Sequence, residues 1–117
     1  MVHVNYRQGP FSIWYDKPRK TENPTSNFGL QDQLMAMRFI KENIELFGGD
    51  PERITISGCS TGATTVSHHV TNPASHEFFT RSIMFSAPLG IPFYTADEAH
   101  IKAATIAANV TCCNDSR

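Results

Sequence analysis

A serine stands between two glycines at the point where a β-branched run gives way to small residues. The segment ITISGCSTGATT spans residues 54–65, and its Gly58, Ser60 and Gly62 fit the pattern G-x-S-x-G. In that pattern the serine occupies a tight turn between a strand and a helix, and the glycines remove side chains that would collide with neighbouring backbone. The N–H of Thr61, at the helix start, would then face an oxyanion formed by attack of Ser60 on a carbonyl. The segment predicts nucleophilic acyl transfer.

Five small residues recur by chance, so the elements around the serine must supply the specificity. Ile54 to Ser57 predicts a strand, and Thr61 to Val70 predicts a helix. Thr64, Thr65 and Val66 are poor helix formers, so tertiary contacts would have to override local propensity in this helix.

A long amphipathic helix precedes the strand. Apolar residues recur at spacings of three and four from Leu30 to Phe47, which is typical of one buried helical face. Gly48 and Gly49 end this helix, because glycine adopts the left-handed conformation at low cost. Asp50 and Pro51 then suit the N-cap and first position of a short turn that leads into the strand.

Three further elements complete an alternating order. Met1 to Tyr6 and Arg81 to Ser86 predict strands, Thr95 to Asn109 predicts a helix, and the polar, proline-containing stretch Asp16 to Asn27 predicts a loop. Alternating strands and helices favour an α/β fold with a mostly parallel sheet flanked by helices. We expect the three strands to lie parallel, with Ser60 at the carboxyl end of the middle one.

Composition excludes several classes of function. The 117 residues are 40% hydrophobic, which suffices for a packed core, and ten basic against eleven acidic residues leave a net charge of −1. No basic footprint for nucleic acid is present, and no apolar run approaches the roughly 20 residues that span a bilayer. No His/Cys spacing resembles a zinc site, so we expect neither a metal nor another cofactor.

The cysteines and two glycosylation acceptor patterns bear on the compartment. Cys59, Cys112 and Cys113 form an odd set, and acceptor triplets begin at Asn109 and Asn114. Together they favour a secreted protein or one in the lumen of the endoplasmic reticulum. We interpret Cys59 as a small packing residue behind the serine turn rather than a reactive thiol, because no basic neighbour in sequence would lower its pKa.

The run FGGDPERITISGCSTG, over residues 47–62, resembles the active-site signature of the type-B carboxylesterase and cholinesterase family. The segments VNYRQGPF, NFGLQDQLMAMRFIKENIELFGGDP, NPAS and FFTRSIMFSA are also similar to that family, so the resemblance covers essentially the whole chain. It implies an α/β-hydrolase fold with a nucleophile elbow and a small carboxylic ester as substrate. It also implies Ser60 as nucleophile, the Thr61 N–H as an oxyanion donor, and Cys112 or Cys113 near a cysteine that pairs in many members.

The resemblance further implies that residues 1–117 are part of one larger hydrolase domain. The acid and histidine of the family would lie after Arg117 and its glycine-rich oxyanion segment before Met1, so we expect the isolated chain to turn over no simple ester. Two departures from the family pattern lie beside the serine: Cys59 stands where glutamate is usual, and Thr61 where alanine is commoner. Loss of the glutamate makes cationic, choline-like substrates less favourable.

Other interpretations of the chain remain open. A compact triad of Ser60, Asp97 and His100 would follow the order serine, acid, histidine, but we interpret all five histidines as surface or helix-face residues. One alternative function is a non-catalytic, adhesion-type family member that binds proteins, and another is a truncated, inactive paralogue. The retained Ser60 favours the enzyme.

Overall fold

The structure, a computed structural model, describes residues 1–13, 26–88, 90 and 94–110. Their elements, in chain order, are α1 (Pro10–Ile13), α2 (Phe28–Asn43), β1 (Thr55–Cys59), α3 (Thr61–Thr71), β2 (Arg81–Phe85) and α4 (Ala96–Val110), with 3-10 turns at Ile44–Phe47, Pro51–Arg53 and Pro73–Phe78. The chain divides into two compact units, Met1–Asp32 with Pro92–Arg117, and Gln33–Ile91. No described helix is both long and apolar enough for a membrane span.

The second unit contains a two-stranded parallel sheet. β1 pairs with β2 in a register that runs from Thr55 opposite Arg81 to Cys59 opposite Phe85. The connection between them contains α3, which packs against both strands. Alternate residues of β1 are half-buried or exposed, and its half-buried Gly58 lies against the first turn of α3. Helix α3 therefore covers one face of the sheet, and the predicted strand, helix, strand order is confirmed here.

The approach to β1 follows the predicted signals closely. After α2 and the 3-10 turn Ile44–Phe47, Gly48 adopts a left-handed φ of 76°. Its N–H donates to the Glu45 carbonyl and the Gly49 N–H donates to the Ile44 carbonyl, both at 3.0 Å. Asp50 then caps the turn Pro51–Arg53, because its carboxylate accepts the backbone N–H of Glu52 at 2.8 Å. The glycine stop and the aspartate cap are both confirmed.

Helix α3 forms although its sequence favours helix weakly. Its inner face is buried at Ala63 and Val66, whose side chains are 0% and 6% exposed. On the other faces the hydroxyl groups of Thr65 and Ser67 donate to the carbonyls of residues 62 and 64 at 2.8 and 2.7 Å. Burial against the sheet thus stabilises a helix that propensity alone would not.

A buried histidine joins α3 to its neighbours within the second unit. His69 is 5% exposed, its Nδ1 lies 3.0 Å from Ser75 Oγ, and its Nε2 lies 2.9 Å from Gln33 Oε1. Because a carbonyl oxygen accepts, Nε2 donates to Gln33, and in a neutral ring Nδ1 then accepts from the Ser75 hydroxyl. Burial lowers the pKa of His69, and the nearby His68 lowers that pKa further. His69 therefore lies on a helix face, as expected, but that face is buried rather than exposed to solvent.

In the first unit, an ion pair fixes the N-terminal segment to the start of α2. Arg7 Nε and Nη2 donate to the Asp32 carboxylate at 2.8 and 2.7 Å, and the Arg7 backbone N–H donates at 3.0 Å. These bonds from Arg7 lower the pKa of Asp32 to about 2. The Arg7 guanidinium also lies 4.8 Å from the centroid of the Phe28 ring. The unit additionally packs α1 against α4.

The predicted strand at Met1–Tyr6 is wrong. These residues are not in a strand, and the sheet of the described residues has only β1 and β2. Alternation of apolar and polar residues indicates a strand only where a neighbouring backbone supplies hydrogen bonds, and the described residues offer none to this segment. The helix predicted at 95–109 is confirmed as α4, whereas most of the loop predicted at 16–27 lies outside the described residues.

We predict that stability depends on pH through His69. The folded pKa lies below the ordinary value of about 6.5. As pH falls from about 6.5 through that folded pKa, the unfolded chain binds the proton more readily, so the free energy of unfolding should fall. His69→Gln should reduce this slope in urea unfolding measured between pH 7.5 and 5. The same change at the exposed His3 should leave the slope as in the wild type, and equal slopes for His69→Gln and wild type would refute the assignment.

Candidate active site

Ser60 connects the end of β1 to the first residue of α3 in an unusual backbone conformation. Its φ is 54° and its ψ is −122°, and its side chain is exposed. A positive φ is uncommon for a residue with a side chain and costs about 1–3 kcal/mol, so the surrounding structure must hold it. A hydrogen bond to the sheet helps to hold this conformation: the Ser60 N–H donates to the Phe85 carbonyl of β2 at 2.9 Å.

Gly58 permits the close approach of β1 to α3. A Cβ atom placed on Gly58 would collide with the carbonyl group of Gly62 and lie 2.7 Å from the Ala63 nitrogen. A Cβ placed on Gly62 would meet no described atom within 4 Å. Among the described residues, therefore, contacts with neighbouring atoms require a glycine at position 58 but not at position 62.

The start of α3 provides hydrogen-bond donors beside Ser60. Thr61 is the first residue of α3. No preceding helical turn exists whose carbonyl could accept its N–H. The first turn contains no acidic residue that would offset the positive end of the helix dipole. An anion at this position would be stabilised.

Cys59 does not pack behind the turn as we predicted. It is exposed and carries a free thiol. The reason is strand alternation: α3 lies against the face of β1 that contains Gly58, and Cys59 points to the opposite face, as Thr55 and Ser57 do. The thiol is therefore available to a molecule at that face. Cys112 and Cys113 lie outside the described residues.

No described histidine is hydrogen-bonded to Ser60. His69 is committed to Ser75 and Gln33, and His76 Nε2 bonds to the Val70 carbonyl at 2.8 Å. Asp97 and His100 lie three residues apart on α4, and the side chain of His100 lies outside the part of the structure that is described. Among the described residues no three His, Cys, Asp or Glu side chains are grouped to hold a metal.

Three features of this region had no clear signal in the sequence. One is the His69 network. Its only signal in the sequence is Asn72-Pro73, which indicates a turn after α3 that could bring Ser75 back to the helix. Another is the buried Thr64, whose hydroxyl lies 3.4 Å from the Ser60 carbonyl oxygen. The third is a second positive φ, 50° at Ser86, immediately after β2.

Comparison with known proteins places this geometry in context. The profile of the Carboxylesterase family matches residues 1–117. Cholinesterase 1 of Branchiostoma lanceolatum is 34% identical over 117 residues, which are 98% of this chain and 32% of the relative. Acetylcholinesterase of Danio rerio is 37% identical over 96% of this chain and 18% of its own length. Juvenile hormone esterase of Tribolium castaneum is 45% identical over 71% of this chain and 14% of its own length. The chain spans about a third or less of these relatives.

The two glycines should respond differently to the same substitution. Gly58→Ala should lower the free energy of unfolding by about 2 kcal/mol or more, because the added methyl group collides with backbone that cannot rotate away. Gly62→Ala should be neutral or stabilise by up to about 1 kcal/mol, because alanine favours helix. Chemical denaturation of both variants measures the difference, and equal destabilisation would contradict the described packing.

Proposed function

The chain belongs to the carboxylesterase family, and we propose that it carries the nucleophile of a serine hydrolase that cleaves small carboxylic esters. One observation carries the proposal: Ser60 stands exposed in a strained turn between a parallel strand and a helix start. A nucleophile elbow requires this arrangement, in which the hydroxyl projects above the sheet beside free backbone N–H groups. Membership of the carboxylesterase family and the similarity to named esterases support an ester as substrate.

In the proposed reaction, Ser60 Oγ attacks the carbonyl carbon of the ester. The carbonyl π electrons move to the oxygen, and the Thr61 N–H donates a hydrogen bond to the resulting oxyanion. Collapse of this tetrahedral intermediate breaks the bond between the carbonyl carbon and the alkoxy oxygen, which takes up the proton that a base removed from Ser60 and leaves as the alcohol. Water then hydrolyses the acyl group that remains on Ser60. The positive end of α3 stabilises the negative charge at both steps.

A serine hydroxyl needs a base to take its proton, and a base in turn needs an orienting acid. No described histidine bonds to Ser60, and the buried His69 already uses both ring nitrogens. We therefore propose that the base and the acid are supplied by other parts of the full-length protein. The isolated 117-residue chain would then be inactive, as one donor and an unactivated hydroxyl give little catalysis.

The exposed thiol of Cys59 bears on the class of ester. Cys59 precedes the proposed nucleophile directly and takes the place of the glutamate usual in the family. A carboxylate there would attract a cationic substrate, whereas a thiol contributes no comparable fixed charge. We propose that the protein prefers neutral esters to cationic ones, unlike the relatives that are named cholinesterases.

Ser60 should be the residue that a fluorophosphonate probe labels in the full-length protein. Ser60→Ala should abolish labelling, because the attacking oxygen is lost. Ser57→Ala and Cys59→Ala should retain it, since both side chains lie on β1 but neither occupies the turn. Mass-spectrometric mapping of the adduct decides the matter: labelling of another serine, or none in folded protein, would favour the non-catalytic, protein-binding alternative.

Substitution at Cys59 should change the preference between cationic and neutral esters. In Cys59→Glu, the ratio of kcat/KM for butyrylcholine to that for the uncharged 3,3-dimethylbutyl butyrate should rise by about two- to five-fold, the size expected for one partly exposed charge pair. Cys59→Gln has the same shape without the charge and should leave the ratio near the wild-type value. An equal change in both variants would exclude an electrostatic cause.

A further inference from the structure

Two groups of hydrogen bonds fix the two peptide planes that flank Ser60. On its amino side, the Ser60 N–H donates to the Phe85 carbonyl at 2.9 Å, which orients the plane between residues 59 and 60. On its carboxyl side, the Ser60 carbonyl accepts the Thr64 backbone N–H at 3.1 Å and the Thr64 hydroxyl at 3.4 Å. Since these planes set φ and ψ, the bonds together decide the direction of the Cα–Cβ bond of Ser60, from which Oγ extends.

Thr64 is buried, unlike the residue whose carbonyl it contacts. Its side chain is 6% exposed, and it lies on the inner side of α3 beside Ala63, which is fully buried. Water therefore does not compete for its hydroxyl, and a buried hydroxyl must find an acceptor within the protein. The Ser60 carbonyl is that acceptor, at a length that corresponds to a weak hydrogen bond.

Threonine hydroxyls often bond to the carbonyl four residues earlier in a helix, and the described helices include two ordinary examples. Thr71 bonds to the Ser67 carbonyl at 3.1 Å, and Thr105 to the Ile101 carbonyl at 2.8 Å. In both cases the acceptor residue is helical. The acceptor of Thr64 instead has a ψ of −122°, far from the helical value, and its carbonyl direction must be held against strain.

We propose that Thr64 is a positioning residue for Ser60, which holds the Ser60 carbonyl through its hydroxyl as well as its N–H and so aims the nucleophile. The proposal rests on the function proposed above for Ser60. Thr64 touches no substrate and takes no part in proton transfer. Its hydroxyl favours the strained conformation over rotations that would turn Oγ away from the substrate.

The test compares Thr64→Val, which replaces the hydroxyl by a methyl group of similar size, with Thr64→Ser, which restores a hydroxyl. In the full-length protein, Thr64→Val should lower kcat by about three- to ten-fold with little change in KM, as expected for one weak neutral hydrogen bond. The rate of fluorophosphonate labelling of Ser60 should fall by a similar factor. Thr64→Ser should recover most of both rates.

Thr71→Val is the matched control, because it removes the same kind of hydroxyl bond from the far end of α3. It should leave both rates unchanged. Wild-type rates in Thr64→Val, no recovery in Thr64→Ser, or an equal loss in Thr71→Val would each overturn the proposal.

Amide hydrogen exchange reports on the backbone conformation of Ser60 without activity, through the bond that its N–H donates to the Phe85 carbonyl. Thr64→Val should speed exchange of the Ser60 amide, and Thr71→Val should not. If the wild-type protein takes no probe at Ser60, the proposed function fails, and unchanged Ser60 exchange in Thr64→Val would separately overturn the positioning role.

Discussion

The backbone of Ser60 is the constraint on which the rest of the second unit depends. With a φ of 54° and a ψ of −122°, it turns the chain from β1 into α3 within one residue. Such a conformation costs about 1–3 kcal/mol and persists only where neighbouring contacts outweigh it. The contacts are the Phe85 carbonyl on one side, Thr64 on the other, and the absence of a side chain at Gly58. The strain leaves the Ser60 hydroxyl exposed beside the helix start.

The turn can be held only if α3 is held, and α3 is secured along its length. Near its beginning, Ala63 and Val66 are buried in the unit that contains the sheet. Near its end, His69 is bonded to Gln33 of α2 and to Ser75 of the following 3-10 turn. Because a neutral His69 fits this network and a charged one is penalised by burial, the far end of the helix couples the stability of the unit to pH.

Much of this arrangement could be predicted from the sequence, because the signals were local. The glycine after α2, the cap at Asp50 and the strand before Ser60 each depend on a few adjacent residues. The failures depended on distant partners. Met1–Tyr6 alternates like a strand but pairs with no strand among the described residues, and the outward direction of Cys59 follows from which face of β1 the helix covers. The role of His69 required knowing that three separate elements converge.

The central claim is that Ser60 forms a covalent acyl intermediate during ester hydrolysis. Rapid-quench kinetics of the full-length protein with a chromogenic ester measures it most directly, combined with mass spectrometry of the quenched peptide that contains residues 54–65. We expect a burst of about one equivalent of alcohol, with the acyl group on Ser60 Oγ. A turnover without a burst, or an acyl group on Cys59 or any other residue, would contradict it.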